Sequence, residues 1–195
     1  MFNTSTEVLQ RPSLRADEKI LITQNRIPKD FFITTGIGQS DVTIHAGSYH
    51  LALKDAGIER CNVIVYSSIL PAIANEVQMP NDLVHGSVLE TIMAVANAEK
   101  GKRATAGLKF GWLYDKFTGK KYGGLVCEYS GDLPEDRAKE VLSRSLNELY
   151  TNGFSDNYIL EDVKTITKSI VPFKRFGTAM IALCFVNFVH PLVKY

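Results

Sequence analysis

The sequence predicts an α+β fold, with helices covering the faces of central β-sheets. Short runs of β-branched and aromatic residues recur along the chain and read as strands. Only two main segments show helical spacing, and they alternate sparsely with those strand runs. No internal repeat and no linker divides the chain, and 195 residues suit one domain with a substantial core.

Residues 1–26 have weak periodicity and read as a loose N-terminal extension, which leaves 27–195 as the single domain. Phe31-Phe32-Ile33-Thr34-Thr35 reads as a short strand that Gly36-Ile37-Gly38 breaks. Tyr49, Leu53 and Ala56 fall at helical spacing over 47–56, and Gly57 is a good stop. The run 61–70, centred on Val63-Ile64-Val65, reads as one buried strand ending at Pro71, which cannot continue a ladder. Residues 86–98 fit helix or strand on pattern alone. Residues 105–114 and 122–129 form a hairpin pair joined through Asp115, Lys116, Thr118 and Gly119. Asp132 can cap a helix running to about Asn152, with Pro134 in its first turn. The inner stripe of that helix is Ala138, Val141, Leu142, Ser145, Leu146 and Leu149. Strands over 160–171 and 176–189 close the chain.

Hydrophobic content of 45% and charged content of 22% are those of a soluble globular protein. A net charge of +1 argues against nucleic acid or anionic membrane as a partner. Cys61, Cys127 and Cys184 are an odd, scattered set without CxxC spacing, which points to reduced core thiols in a cytoplasmic protein. No Cys/His spacing suggests a metal site. The first residues lack an apolar signal core, and the apolar run 176–189 is too short to span a membrane.

The segment Tyr66-Ser67-Ser68-Ile69-Leu70-Pro71 is chemically unusual. Two adjacent hydroxyls at the end of an apolar strand point to opposite faces, and a buried one needs a partner. Pattern alone also admits a strand end leaving the core. The chemical reading is that a serine hydroxyl attacks the carbonyl of the preceding residue, given a strained backbone. β-Elimination of the ester then frees a carboxyl end at Ser67 and leaves dehydroalanine at Ser68. Tautomerisation to the imine, addition of water and loss of ammonia leave a pyruvoyl carbonyl, which forms a Schiff base with an amine and accepts electrons as carbon dioxide departs. Gly36-Ile37-Gly38 is not a dinucleotide loop, because the third glycine and a following acidic residue are missing.

The run from Ile58 to Pro71, with Asn62 five residues before Ser67, resembles the pyruvoyl-dependent arginine decarboxylase family. Gly36-Ile37-Gly38-Gln39-Ser40-Asp41, His85-Gly86-Ser87-Val88-Leu89-Glu90, Gly123-Gly124-Leu125-Val126-Cys127-Glu128-Tyr129 and Arg175-Phe176-Gly177 match family segments in order. The resemblance covers about 30–190 and is closer to the longer bacterial form than to the archaeal one. It implies an αββα-type sandwich of antiparallel or mixed sheets, cleavage between Ser67 and Ser68, and a pyruvoyl group derived from Ser68, with no metal and no pyridoxal phosphate. It resolves 86–98 toward strand. It further implies a homo-oligomer of cleaved protomers, a trimer or a dimer of trimers, acting on a small amino acid.

By the same resemblance, Asn62 assists cleavage and Glu128 is the proton donor. Glu128 follows Leu125-Val126-Cys127, so partial burial is expected to favour its protonated form. The family's guanidinium-binding aspartate falls on His50, one turn before Leu53, which would line the substrate pocket. Imidazole offers no carboxylate fork. The resemblance makes arginine the leading substrate, with Asp41, Asp55 and Glu59 as nearby replacement carboxylates, and His50 makes a neutral or acidic amino acid the alternative. An uncleaved, non-enzymatic binding member is the remaining reading.

Overall fold

The computed structural model describes residues 25–192, so most of the expected extension at 1–26 lies outside the described residues. Ile27–Val189 forms one compact unit. In chain order its strands are β1 (Ile27–Pro28), β2 (Asp30–Ser40), β3 (Asn62–Val65), β4 (Ile69–Pro71), β5 (Asn75–Glu76) and β6 (Val88–Glu99). They continue as β7 (Ala104–Asp115), β8 (Lys121–Gly131), β9 (Tyr158–Ile170), β10 (Phe176–Phe185) and β11 (Phe188–Val189). Helix α1 is His50–Asp55, preceded directly by a wider π-type helical segment, Ile44–Tyr49, and α2 is Glu135–Gly153.

A five-stranded sheet has the order β3-β6-β10-β2-β5, and a four-stranded sheet the order β4-β8-β7-β9. All neighbours are antiparallel except the β3–β6 and β2–β5 pairs, so the first sheet is mixed. Strand β10 shows how the layers arise. Its alternate residues Ala179, Ile181, Leu183 and Phe185 enter the core between the sheets, while Met180, Ala182 and Cys184 face Ala52, Leu53 and Ala56 of the α1 layer. Both faces are covered, so the whole run reads as apolar. Leu146 of α2 packs on Leu113 and Leu125 of the second sheet. The result is the expected α+β sandwich of two sheets between helical layers.

Several local expectations are corrected. Gly36 and Gly38 do not break β2; they let it pass close under the helices. A Cβ at Gly36 would lie 2.0 Å from the carbonyl oxygen of Ala52, and one at Gly38 2.0 Å from that of Ser48. The run 61–70 is not one strand. It splits into β3 in one sheet and β4 in the other, and Ile64 and Val65 are exposed because β3 is an edge. Asp132 does not cap α2, whose N-cap is Pro134 without a side-chain hydrogen bond. The stripe of α2 is narrower than expected, with Ala138, Leu142 and Leu146 buried and Ser145 and Leu149 exposed. The last apolar run divides into β10 and β11.

Substituting Gly38→Ala is expected to lower folding stability by about 3 kcal/mol, because backbone atoms cannot yield to the new methyl. A urea titration of the variant beside the parent checks this through the shift of its midpoint.

Candidate active site

The chain changes sheets at Tyr66-Ser67-Ser68. Strand β3 stops at Val65, paired in parallel with Thr91 of β6. Tyr66 N–H still donates to Thr91 O at 2.7 Å, which continues that pairing by one residue. Strand β4 begins at Ile69, opposite Leu125 of β8. Val126 N–H donates to Ser68 O at 3.1 Å and extends the second pairing backward. Ser67 thus lies between two anchored residues, one in each sheet.

Register does the rest. Val126, Glu128 and Ser130 share one face of β8. Val126 belongs to the core between the sheets. Glu128 comes two residues later, where β3 no longer covers that space, and is exposed. Its carboxylate Oε1 accepts a hydrogen bond of 2.5 Å from Ser68 Oγ. Ile69 N–H donates to Ser67 O at 3.0 Å, closing a three-residue turn about Ser68. The carbonyl that Ser68 Oγ must attack therefore already carries one donor, and the attacking hydroxyl one acceptor. Neither serine has a positive φ; Asp162 is the one non-glycine residue with one among the described residues. The strain expected at the serines is not of that kind.

Glu128 is exposed, so the burial expected for it is absent among the described residues. Its neighbour Cys127 is half-buried, and burial, then the charge of Glu128, pushes that thiol's pKa up. Asn62 is exposed and donates from Nδ2 to Gly86 O at 2.9 Å, so its amide ties β3 to the loop before β6 and does not reach the serine pair.

His50 and Leu53, expected at the substrate pocket, do not line the hollow nearest the end of β3. Leu53 is buried in the core beneath α1, and His50 is exposed. That hollow, of about 520 Å³, is lined by Ile44, His45, Tyr49, Val65, Met93, Val95, Asn97 and Ser130. Ser130 Oγ accepts from Val95 N–H at 3.2 Å, satisfying a β6 donor beyond the end of β3. His45 and Tyr49, which line this hollow, sit in the helical segment that precedes His50. Of the nearby acids, Asp55 Oδ2 accepts from Ile37 N–H at 2.9 Å and Asp41 Oδ1 from Arg175 N–H at 3.1 Å; Glu59 lies 3.6 Å from Arg60. None of the three lines the hollow.

Among the described residues no group of three or more His, Cys, Asp or Glu side chains is placed to hold a metal, and no helix is long and apolar enough to cross a membrane.

Asn62→Ala is expected to cost less than about 1 kcal/mol, the worth of one exposed hydrogen bond. Urea unfolding of that variant checks it, and a larger loss would mean that the amide carries more of the β3 edge than its single contact indicates.

Comparison with known proteins identifies the family. The chain is similar to pyruvoyl-dependent arginine decarboxylase AaxB of Chlamydia muridarum (strain MoPn / Nigg), with 32% identity over 185 residues, covering 84% of this chain and 93% of that protein. The AaxB of Chlamydia trachomatis serovar L2 has the same identity and coverage. A probable pyruvoyl-dependent arginine decarboxylase of Chlorobaculum parvum is 29% identical over 133 residues, 62% of this chain and 70% of its own. The family model for pyruvoyl-dependent arginine decarboxylase matches residues 30–190, and the chain belongs to that family of pyruvoyl-dependent carboxy-lyases.

Proposed function

We propose that this protein cleaves itself between Ser67 and Ser68 and decarboxylates arginine to agmatine, using a pyruvoyl group derived from Ser68. The observation that carries the reading is the Ser68 Oγ to Glu128 Oε1 hydrogen bond at the crossing between the sheets. It joins the residue that would become the prosthetic group to an acid that can hold a proton.

In the precursor, Ser68 Oγ attacks the Ser67 carbonyl carbon, the Ile69 N–H steadies the oxygen as it gains charge, and the bond from that carbon to Ser68 N breaks, the hydroxyl proton passing to the nitrogen and an ester remaining. Glu128 orients the hydroxyl through its accepted hydrogen bond. Asn62 acts at one remove, by holding β3 against the loop at Gly86. In the processed enzyme the pyruvoyl carbonyl supplies the electron sink for decarboxylation. Glu128, on the rim of the same crossing, then holds the proton that is returned to the substrate carbon. No metal and no pyridoxal phosphate takes part in this reading.

Arginine is favoured over a neutral or acidic amino acid. The relatives' names carry arginine, and His50, the ground for the alternative, does not line the hollow. The unit Ile27–Val189 acts as a single decarboxylase domain. The three free thiols support a reducing, cytoplasmic setting. Ile64, Val65, Ile69 and Val88 are 47%, 60%, 58% and 59% exposed around the serine pair. Such an apolar patch beside a catalytic acid supports a homo-oligomer, a trimer or a dimer of trimers, in which a neighbouring copy covers the site.

Purified protein is expected to run on a denaturing gel as pieces of 67 residues and of the remaining 128. Ser68→Ala should stay whole. Glu128→Gln keeps an acceptor for Ser68 and should still be processed, but its decarboxylation should fall roughly 10²–10⁴-fold for want of a transferable proton. Given a panel of amino acids, the processed enzyme should yield agmatine from arginine and no amine from glutamate or leucine. A wild-type chain that stays intact, or release of carbon dioxide from glutamate in place of arginine, contradicts the reading.

A further inference from the structure

A second carboxylate stands on the other side of the scissile bond. Glu90 of β6 is 2% exposed and shares the inward face of its strand with Ile92, Ala94 and Ala96. It pairs across the sheet with Ile64 of β3 and with Phe185 of β10. The hydroxyl of Tyr66 donates to Glu90 Oε2. The Tyr66 ring lies 6.0 Å from that of Phe185, and Phe185 lies 6.3 Å from Phe31, the centre of the aromatic core. Tyr66 N–H is fixed to Thr91 O. A buried carboxylate is costly unless it is hydrogen-bonded. Here it is kept at the one place where a tyrosine hydroxyl can anchor the residue that precedes the cleaved pair.

We propose that Tyr66 and Glu90 are positioning residues for self-cleavage: they hold the carbonyl side of the Ser67–Ser68 bond while Glu128 holds the nucleophile. The two anchors lie in different sheets, so the peptide between them has little freedom to swing its carbonyl away from Ser68 Oγ. Slack at either end lowers the fraction of time spent in the attacking geometry. After cleavage the bond no longer exists, and this anchor has no part in turnover. Its contribution is therefore confined to processing. The inference rests on the cleavage reading above.

The test follows fragment appearance after refolding of full-length chains. Tyr66→Phe keeps the ring packing and removes one hydroxyl. It should slow cleavage roughly three- to tenfold, the worth of one hydrogen bond, while kcat per pyruvoyl group and KM for arginine remain at wild-type values. Glu90→Gln retains an acceptor and should cleave within about twofold of wild type, whereas Glu90→Leu should be at least as slow as Tyr66→Phe. Combining Tyr66→Phe with Glu90→Leu should slow cleavage by clearly less than the product of the two single effects, as expected of residues that share a contact. Wild-type cleavage rates in Tyr66→Phe, additive slowing in the double variant, or slowing that only tracks a falling melting temperature would overturn the proposal. A wild-type chain that never cleaves overturns instead the functional reading on which it rests.

Discussion

The hydrogen bond between Ser68 and Glu128 joins residues 60 positions apart. It depends on the register in which β4 meets β8. Ile69 lies opposite Leu125 and Pro71 opposite Gly123. A slip of one residue would send Glu128 to the opposite face of its strand and remove the acid from the serine. Two features pin the register. Leu70 is fully buried in the core between the sheets. The paired glycines also let β4 come close: a Cβ at Gly124 would stand 3.1 Å from that of Leu70. The chemistry is thus held by core packing on one side of the strand pair and by missing side chains on the other.

The same economy appears under the helices. Gly36 and Gly38 bring β2 against the segment that carries Ser48 and Ala52. Ser48 and Thr178, both fully buried, are 2.8 Å apart through their hydroxyls, and Thr178 donates to Asn97 at 2.7 Å. A satisfied polar chain therefore locks the helical layer to β10 and β6 at the floor of the hollow. Fixing that layer fixes His45 and Tyr49, which rim the hollow.

Much of this was legible in the sequence, for identifiable reasons. The turn residues Asp115, Lys116, Thr118 and Gly119 between two strand runs locate β7 and β8, and the amphipathic stripe locates α2. Ser67–Ser68 stand out because packing has no use for two hydroxyls there, and the ordered family segments assign Glu128 to them. Three things were hidden. The split of 61–70 into strands of two sheets is a tertiary fact, since β-branched residues before and after Tyr66 suit either sheet. Gly36 and Gly38 look like a break because close approach to a helix backbone leaves no mark except glycine itself. The resemblance carries the substrate side to His50 and Leu53, and the sequence gives no sign that the hollow opens beside the segment before them. The segment Ile44–Tyr49 is π-type, so its side chains turn differently from those of an α-helix, and His45 and Tyr49 take the pocket side. Glu90 does leave a signal, a carboxylate among the apolar residues Leu89, Ile92 and Ala94, which its contact with Tyr66 explains.

The account makes one central claim: the geometry at the sheet crossing converts a serine into the prosthetic group. Mass spectrometry of the larger fragment tests it most directly. The account predicts a fragment beginning at position 68 that is lighter by one ammonia than the same piece starting with serine, and that reacts with a carbonyl reagent. An intact chain, or a fragment with a free serine amino terminus, would contradict it.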